Sequence, residues 1–215
     1  MARAFVGVGS NVDPADNVSK ALRLLAKDMR VVAVSTVYET EPERRPDQPR
    51  YYNCVVEIET EAPAAELKRS LREIEDRLGR LRTADRYAAR VIDLDLLIYD
   101  DLVTETEALT LPDPDIAKRP YVAAALAELA PALVIPGTGT TAAWLAERMP
   151  ARDMRPLDDY TAALRREVLD GRSNRENREP GAAGHRGVGR EPRARGAPAQ
   201  PSANSDFAGV PHLRL

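Results

Sequence analysis

Short segments with strand-like and helix-like apolar spacing alternate through the first hundred residues, and this alternation restricts the possible folds more than any other feature. Strand segments are rich in β-branched residues, whereas helix segments repeat apolar residues every three or four positions. In chain order they are strand 3–9, a helix after Asp13-Pro14, strand 30–38, strand 51–60, a helix from Pro63 and strand 90–99. The order βαββαβ predicts an α+β fold, the ferredoxin-like sandwich, which hosts too many activities to indicate one.

Start signals and apolar stripes support both helices. Asp13 followed by Pro14 predicts an N-cap with proline at the first helical position. The stripe of the first helix is Val18, Ala21, Leu22 and Leu25, and that of the second is Leu67, Leu71, Ile74, Leu78 and Leu81. Each stripe is expected to be buried.

The remaining body of the chain divides into a loop and further helices. Residues 39–50 are predicted as a loop, because charged residues and prolines fill them. Helices are predicted at 120–130, 140–149 and 157–169, the last of them marginal. Trp144 is interpreted as a core anchor.

Residues 170–215 are predicted to be a disordered tail, and residues 1–169 one folded domain. From Gly171 the chain is rich in glycine, proline and arginine and has few periodic apolar residues. Residues 171–215 carry a net charge of +4, and residues 1–170 carry −7. A solvated extension is favoured over an RNA- or membrane-binding arm, because its arginines lack interleaved aromatic residues for stacking.

Histidine and cysteine counts exclude several kinds of catalysis. The chain has one cysteine, Cys54, and two histidines, His185 and His212, both in the predicted tail. A folded domain without histidine cannot use Ser/His/Asp or Cys/His catalysis or a histidine-based zinc site. The net charge is −3, and no apolar run approaches the ~18 residues of a membrane span. We therefore expect a cytoplasmic protein that binds neither nucleic acid nor membrane.

Two aspartates share one face of the last predicted strand, RVIDLDLLIYD at 90–100. Strand alternation assigns Ile92, Leu94, Leu96 and Ile98 to one face, and Val91, Asp93, Asp95, Leu97 and Tyr99 to the other. Adjacent carboxylates repel each other unless a cation lies between them, and Mg²⁺ suits two carboxylates whose octahedron is completed by substrate phosphates. The alternative is a solvated sheet face with two surface aspartates.

Arginines precede this aspartate pair at short intervals. They are Arg80, Arg82, Arg86 and Arg90. Guanidinium groups beside metal-binding carboxylates are typical of polyphosphate sites, where they neutralise developing charge. A solvated helix end is the alternative, because cations are also favourable there.

Nucleotide-binding glycine motifs are absent from the sequence. GVGSNV at 7–12 does not fit G-x-G-x-x-G, and no GK[ST] occurs, which excludes Rossmann and P-loop sites. Tyr51, Tyr52 and Asn53 begin a predicted strand and could offer a stacking ring and an amide to a flat ligand. Half-buried packing is the alternative for these tyrosines.

Several strings, in this order, resemble the 6-hydroxymethyl-7,8-dihydropterin pyrophosphokinase family from about residue 3 to about residue 149. They are GSN at 9–11, YET at 38–40, PDQPRYYN at 46–53, the segment from Glu75 to GRLR at 79–82, RYAARVIDLD at 86–95, LPDPDIAKRPY at 111–121 and APALVIPG at 130–137. The resemblance implies a ferredoxin-like core and transfer of pyrophosphate from ATP, the co-substrate, to a reduced hydroxymethylpterin. It also implies two Mg²⁺ ions, and we expect a monomer.

The resemblance also assigns roles to individual residues. Those implied for catalysis are Arg80, Arg90, Asp93 and Asp95, the two aspartates also as ligands of both Mg²⁺ ions. Those implied for the nucleotide are Glu75, Arg82, Arg86, Asp113 and Arg119. Those implied for the pterin are Tyr51 and Tyr121, which would sandwich its ring, and Asn53 with Thr40, which would bind its edges.

Two positions and one segment depart from the family pattern. Asp113 stands where the family usually has a histidine that contacts nucleotide phosphates, Tyr87 replaces a tryptophan, and residues 41–45 are unusually charged. An acid beside phosphate is repulsive, and a charged loop is costly to desolvate over a pterin. These departures leave open a family member that binds pterin or nucleotide without turnover. The arginine-rich tail leaves open a second alternative, a ferredoxin-like RNA-binding protein that uses this tail.

Overall fold

A computed structural model describes residues 1–83, 85, 87–149 and 153–170. Arg86 and the predicted tail from Gly171 lie outside the described residues. The strands are β1 (Ala2–Ser10), β2 (Arg30–Val34), β3 (Tyr38–Thr40), β4 (Tyr51–Thr60), β5 (Asp93–Tyr99), β6 (Thr104–Glu105), β7 (Thr110–Leu111) and β8 (Met154–Pro156). The helices are α1 (Pro14–Asp28), α2 (Ala64–Arg77), α3 (Pro120–Leu129), α4 (Ala142–Arg148) and α5 (Asp158–Arg165), with a 3-10 turn at Pro114–Ala117 and a π turn at Arg166–Asp170.

The main sheet is antiparallel and has the strand order β5-β1-β4-β3-β8, with β2 also paired to β4. Strand β4 is long enough to pair with β3 through its first residues and with β2 through its last residues. Strand β1 lies between β4 and β5, in register from Ala2 opposite Thr60 to Ser10 opposite Tyr52. This arrangement confirms the α+β fold class, and the elements follow the predicted βαββαβ order except that the second predicted strand is divided into β2 and β3.

Two apolar clusters form the core. Helices α1 and α2 pack their stripes against one cluster, which includes Val6 and Val8 of β1. Helix α3 packs against the other, which includes Phe5 of the same strand. The alternation of β1 side chains thus holds helices on both faces of the sheet, and each buried leucine contributes roughly 1.5–3 kcal/mol.

A β-bulge changes the predicted faces of β5. Phe5 pairs with Ile98 but Val6 pairs with Leu96, so that Leu97 has no partner in the register. Beyond the bulge the alternation is reversed: Ile98 lies in the α3 cluster with Leu97, and Tyr99 packs on the α1 and α2 side. The prediction was therefore right from Ile92 to Leu97 and wrong for the last two residues.

The loop at 39–50 starts later than predicted. Tyr38–Thr40 forms a strand that pairs with β4 on one side and with Met154–Pro156 on the other. The predicted strand 30–38 therefore divides into β2 and β3. Strand β8 was missed, because three residues ending in proline carry no alternating pattern.

One predicted helix start is confirmed in position, and one predicted helix residue was wrong. Asp13 is the N-cap of α1 and Pro14 the first helical residue, but Asp13 has a left-handed φ of 41° and makes no capping side-chain bond; its backbone oxygen accepts from the nitrogens of Asp16 and Asn17. Leu81 is 85% exposed, because α2 ends at Arg77 and Gly79 adopts a φ of 86° that leaves the helical path.

The C-terminal helices are confirmed near their predicted bounds, but Trp144 is not a core anchor. Its side chain is 47% exposed, and the guanidinium of Arg148 lies 3.7 Å from its ring centroid. Ala142, two residues earlier, is the buried residue of α4. Among the described residues, no helix is long and apolar enough to cross a membrane.

Candidate active site

A cleft on the α3 side of the sheet brings most of the predicted site residues together. Its walls come from β1, β4, β5, the 41–50 loop and the start of α3. The predicted residues that line it are Thr40, Tyr51, Asn53, Arg90, Asp93, Asp95, Arg119 and Tyr121. We call the part around Asp93 and Asp95 the charged end, and the part around Tyr51, Asn53 and Tyr121 the ring end.

Asp93 is held by two arginines. Arg80 and Arg90 each donate from Nη1 to one of its carboxylate oxygens. Arg80 follows α2, whereas Arg90 lies three residues before Asp93 in the chain. The carboxylate thus joins the end of α2 to the start of β5, and its charge is matched within the protein.

Glu75 lies behind this pair as a buried anchor. Its side chain is 4% exposed and binds Arg80, Arg82 Nη2 at 2.7 Å and the backbone nitrogen of Leu94 at 2.8 Å. Burial raises the pKa of Glu75, and the hydrogen bond from Leu94 and the charge of Arg80 oppose the rise. In this structure Glu75 positions the arginines, and its contact with a nucleotide stays a prediction, as does that of Arg82.

Asp95 is the second carboxylate of the pair. Its partner is Lys68, which was not predicted as a site residue. Lys68 Nζ of α2 lies 3.3 Å from Asp95 Oδ1. Burial and the neighbouring Asp93 charge raise the pKa of Asp95 to about 6, while Lys68 opposes the rise. Because 46% of the Asp95 side chain is exposed, solvent screens much of this repulsion.

Asp113 is close enough to act electrostatically on Asp95 but does not line the cleft. It accepts a hydrogen bond from the backbone nitrogen of Asp115 at 2.8 Å and so caps the 3-10 turn. Burial raises its pKa. Arg119 donates from Nε to Asp115 at 2.6 Å, and its Nη2 lies 3.7 Å from Glu43.

The ring end depends on one close backbone approach. Asn53 donates from Nδ2 to Thr40 Oγ1 at 2.8 Å, which orients the amide. A Cβ on Gly9 would lie 2.7 Å from Asn53 Oδ1, so only glycine fits beside it. Gly9 belongs to the GSN string of the family resemblance, but the sequence had predicted no role for it.

Two tyrosines complete the ring end. Tyr51 begins β4 and Tyr121 begins α3, and both are partly buried in the cleft wall. Burial raises the pKa of each phenol, so both stay protonated at neutral pH. Their rings and the Asn53 amide offer a flat ligand stacking surfaces and edge hydrogen bonds.

Contacts join the 41–50 loop to Asp85 and Tyr87, which lie between α2 and β5. Arg45 Nη2 lies 2.8 Å from Asp85 Oδ2, and Gln48 donates to the backbone oxygen of Tyr87 at 2.9 Å. The guanidinium carbon of Arg44 lies 5.6 Å from the Tyr87 ring centroid. The unusual charges of residues 41–45 therefore have partners, which the sequence pattern did not indicate.

The donor set fits Mg²⁺ only together with a substrate. No group of three or more His, Cys, Asp or Glu residues that could hold a metal occurs in the part of the chain that the structure describes. Asp93 and Asp95 instead supply two hard oxygen donors on neighbouring positions of one strand face. Mg²⁺ is commonly bound in this way, with waters and substrate phosphates as its other ligands.

Comparisons with known proteins agree on one family. Residues 5–131 match the family model of 7,8-dihydro-6-hydroxymethylpterin-pyrophosphokinase. The chain is 41% identical over 140 residues to the 2-amino-4-hydroxy-6-hydroxymethyldihydropteridine pyrophosphokinase of Methylorubrum extorquens, and 35% identical over 141 residues to that of Haemophilus influenzae. Each alignment covers 64% of this chain and 88% of the relative.

Longer proteins contain a similar region. The folic acid synthesis protein fol1 of Schizosaccharomyces pombe is 36% identical over 160 residues, 73% of this chain but 22% of that protein. The crystal structure of Plasmodium falciparum HPPK-DHPS with pteroate matches with a TM-score of 0.58 at 12% identity, over 72% of this chain and 47% of that one. That likeness shows the shared fold, and the chain spans about a fifth and about half of these two proteins. On the family model and the near full-length bacterial relatives, this chain belongs to the 7,8-dihydro-6-hydroxymethylpterin-pyrophosphokinase family.

Proposed function

We propose that this chain transfers pyrophosphate from ATP to 6-hydroxymethyl-7,8-dihydropterin in folate biosynthesis. The observation that carries the proposal is the cleft itself. One end presents two adjacent carboxylates with arginines around them, and the other presents two tyrosines and an oriented amide. A polyphosphate and a flat heterocycle are the ligands that these two ends suit.

The charged end is the proposed nucleotide site. Asp93 and Asp95 hold two Mg²⁺ ions in this proposal, and the bound ions supply charge neutralisation at the ATP phosphates. The residues proposed to contact the nucleotide are Arg80, Arg82, Arg86, Arg90, Glu75, Asp113 and Arg119. Arg80 and Arg90 donate to Asp93 in this structure, and in the loaded site both are proposed to contact phosphate oxygens.

The ring end is the proposed pterin site. Tyr51 and Tyr121 hold the ring between them, while Asn53 and the chain at Thr40 bind its polar edges. The hydroxymethyl oxygen then attacks the β-phosphorus of ATP. A bond forms between that oxygen and the β-phosphorus, the bond to the oxygen that bridges to the α-phosphorus breaks, AMP leaves, and the hydroxyl proton passes to water. Holding both substrates in one cleft provides most of the rate enhancement, because phosphoryl transfer depends mainly on positioning and electrostatics.

The proposal also includes a monomer that works in the cytoplasm. A single cysteine, Cys54, which is buried as a free thiol, fits a reducing compartment. The ligands are small molecules, and the proposal includes no nucleic acid and no membrane.

A family member that binds its ligands without transferring pyrophosphate is the second candidate. It is favoured by the acid at Asp113, whose charge acts on Asp95, and by Glu43, which lies 3.7 Å from Arg119. Both acids oppose phosphate binding. Turnover by the unmodified protein separates the two candidates.

The test is release of AMP by the full chain from ATP and Mg²⁺, with and without 6-hydroxymethyl-7,8-dihydropterin. We expect AMP only when the pterin is present. Binding of ATP or pterin in a calorimeter without any AMP would replace the transferase with the binding protein. Matched samples with EDTA in place of Mg²⁺ should release no AMP.

A further inference from the structure

Lys68 is a charged residue beside the cleft to which no role has been given above. It lies on α2 seven residues before Glu75, which is two helical turns, so both side chains are on the face that meets β5. Its ammonium is 3.3 Å from Asp95 Oδ1, and its side chain is 21% exposed. The side chain therefore reaches the charged end from the helix and not from solvent.

The two aspartates of the charged end are neutralised differently. Asp93 is held by the two guanidinium groups of Arg80 and Arg90. Among the described contacts, the ion pair of Asp95 is with Lys68 alone. Guanidinium forks are rigid, whereas the lysine ammonium is a point charge on a flexible stem and changes partners easily.

Two acids are close enough to Lys68 to interact with its charge. They are Asp95 and Asp113, and the exposed Lys118 acts on Asp113 as well. Because Asp113 also acts on Asp95, a nucleotide phosphate that approaches Asp95 meets repulsion from Asp113. Lys68 is placed to offset that repulsion, because it lies against the carboxylate at which the phosphate must arrive.

We propose that Lys68 is a phosphate-binding residue of the nucleotide site that pairs with Asp95 only until a divalent cation is bound there. The inference rests on the proposed function. Two cations at contact distance from one carboxylate repel each other. Once Asp95 coordinates a metal ion, the Lys68 ammonium moves to a phosphate oxygen of the same nucleotide. The ion pair with Asp95 thus keeps the Lys68 ammonium close to the phosphate that it later binds.

This proposal predicts opposite effects on two binding constants, which a purely structural role would not give. In Lys68→Met the competing charge is gone, so Mn²⁺ alone should bind about threefold more tightly, as expected for a screened charge pair. ATP with Mg²⁺, in the absence of pterin, should bind about tenfold more weakly, because a charge-assisted hydrogen bond is lost. Electron paramagnetic resonance of free Mn²⁺ and calorimetry of ATP binding measure the two constants.

Two further variants control the experiment. Lys68→Arg keeps the charge and should stay within about threefold of the unmodified protein for both ligands. Lys20→Met removes an exposed lysine whose partner is Asp16, four residues away on α1, and should change neither constant. If Lys68→Met fails to fold, Lys68→Gln must show the same opposite shifts.

The outcomes separate this inference from the proposed function. Mn²⁺ and ATP affinities that fall together, or that both stay unchanged, overturn the role of Lys68 even if the unmodified protein releases AMP in a pterin-dependent way. An unmodified protein that neither binds ATP nor releases AMP overturns the proposed function and this inference with it. Opposite shifts in the two constants support the role of Lys68.

Discussion

The charged end and the ring end of the cleft are built on different principles. At the charged end, carboxylates from β5 are already matched by cations from α2 and from the chain before β5. At the ring end, a single hydrogen bond and a close approach to Gly9 orient Asn53. The charged end must therefore exchange ion pairs to receive a ligand, whereas the ring end is preorganised by shape. Variants at the two ends should fail in different ways.

The largest effect is expected at Asp95. Asp95→Ala should lower pterin-dependent AMP release by about 10²–10³-fold, because transition-state charge stabilisation by the metal site is lost. The protein should still fold, since removing one carboxylate relieves repulsion with Asp93. Steady-state assays and circular dichroism measure both quantities.

Asp159→Ala is the matched control, because Asp159 is an exposed aspartate of α5. It should keep the rate of the unmodified protein. An Asp95→Ala variant with a near-normal rate would remove the metal assignment from the charged end.

The next largest effect is expected at Glu75, on the stability of the fold. Glu75→Ala removes a buried carboxylate that binds two arginines and the Leu94 amide, and we expect unfolding free energy to fall by about 3 kcal/mol. Urea denaturation measures this change. Glu66→Ala, at an exposed pair with Arg69, should cost under about 0.5 kcal/mol, and equal losses in both variants would show that Glu75 is no anchor.

Gly9 provides the matching experiment at the ring end. Gly9→Ala places a methyl group against Asn53 Oδ1, so pterin affinity should fall about tenfold through displacement of the amide, in line with the cost of overpacking. ATP affinity should not change, because the charged end is untouched. Calorimetry with each ligand measures both.

Gly7→Ala serves as the control, because the atoms nearest to its Cβ would be those of the Leu97 side chain, at 3.4 Å. It should leave pterin binding within about threefold of the unmodified protein, since a flexible side chain can absorb the contact. Equal pterin affinities for the Gly9 and Gly7 variants would contradict the shape argument.

The smallest expected effect is a pH dependence of stability. With a folded-state pKa of about 6, Asp95 keeps a proton that the unfolded chain has lost, so stability falls as the pH rises from about 4 to about 6. Asp95→Asn should therefore be more stable than the unmodified protein above pH 6 by under ~1 kcal/mol, given the exposure of this side chain.

Urea unfolding without divalent cations, repeated across this pH range, measures that difference. The advantage of Asp95→Asn should disappear below about pH 4, where Asp95 is protonated in both states. Parallel pH curves for the two proteins would show that the charged end carries no repulsion at Asp95.

Sequence spacing predicted the fold well where long amphipathic segments were involved. The stripe of α2 from Leu67 to Ile74 is buried as expected, and the Asp93 and Asp95 side chains share a face as strand alternation requires. The bulge at Leu97 reversed the last residues of β5, because an extra residue in one strand has no signal in the sequence of that strand alone. Tertiary geometry thus decided what periodicity could not.

The charged end shows the same limit. In the sequence, Lys68 of α2 looks like a solvated surface residue. It reaches Asp95 only because α2 packs on β5. The prediction for Trp144 was wrong in the opposite sense. Its size suggested burial in the core, but the side chain lies at the surface, where Arg148 covers it. The roles of the arginines and tyrosines stay predictions that the variants above test.

The most direct test of the account follows the β-phosphate of ATP. The full chain is incubated with Mg²⁺, 6-hydroxymethyl-7,8-dihydropterin and ATP that carries radioactive phosphorus at the β position, and the products are separated. We predict that the label moves to the pterin and that unlabelled AMP appears in equal amount. Labelled ADP as the nucleotide product, or no labelled pterin at all, would contradict pyrophosphoryl transfer by this cleft.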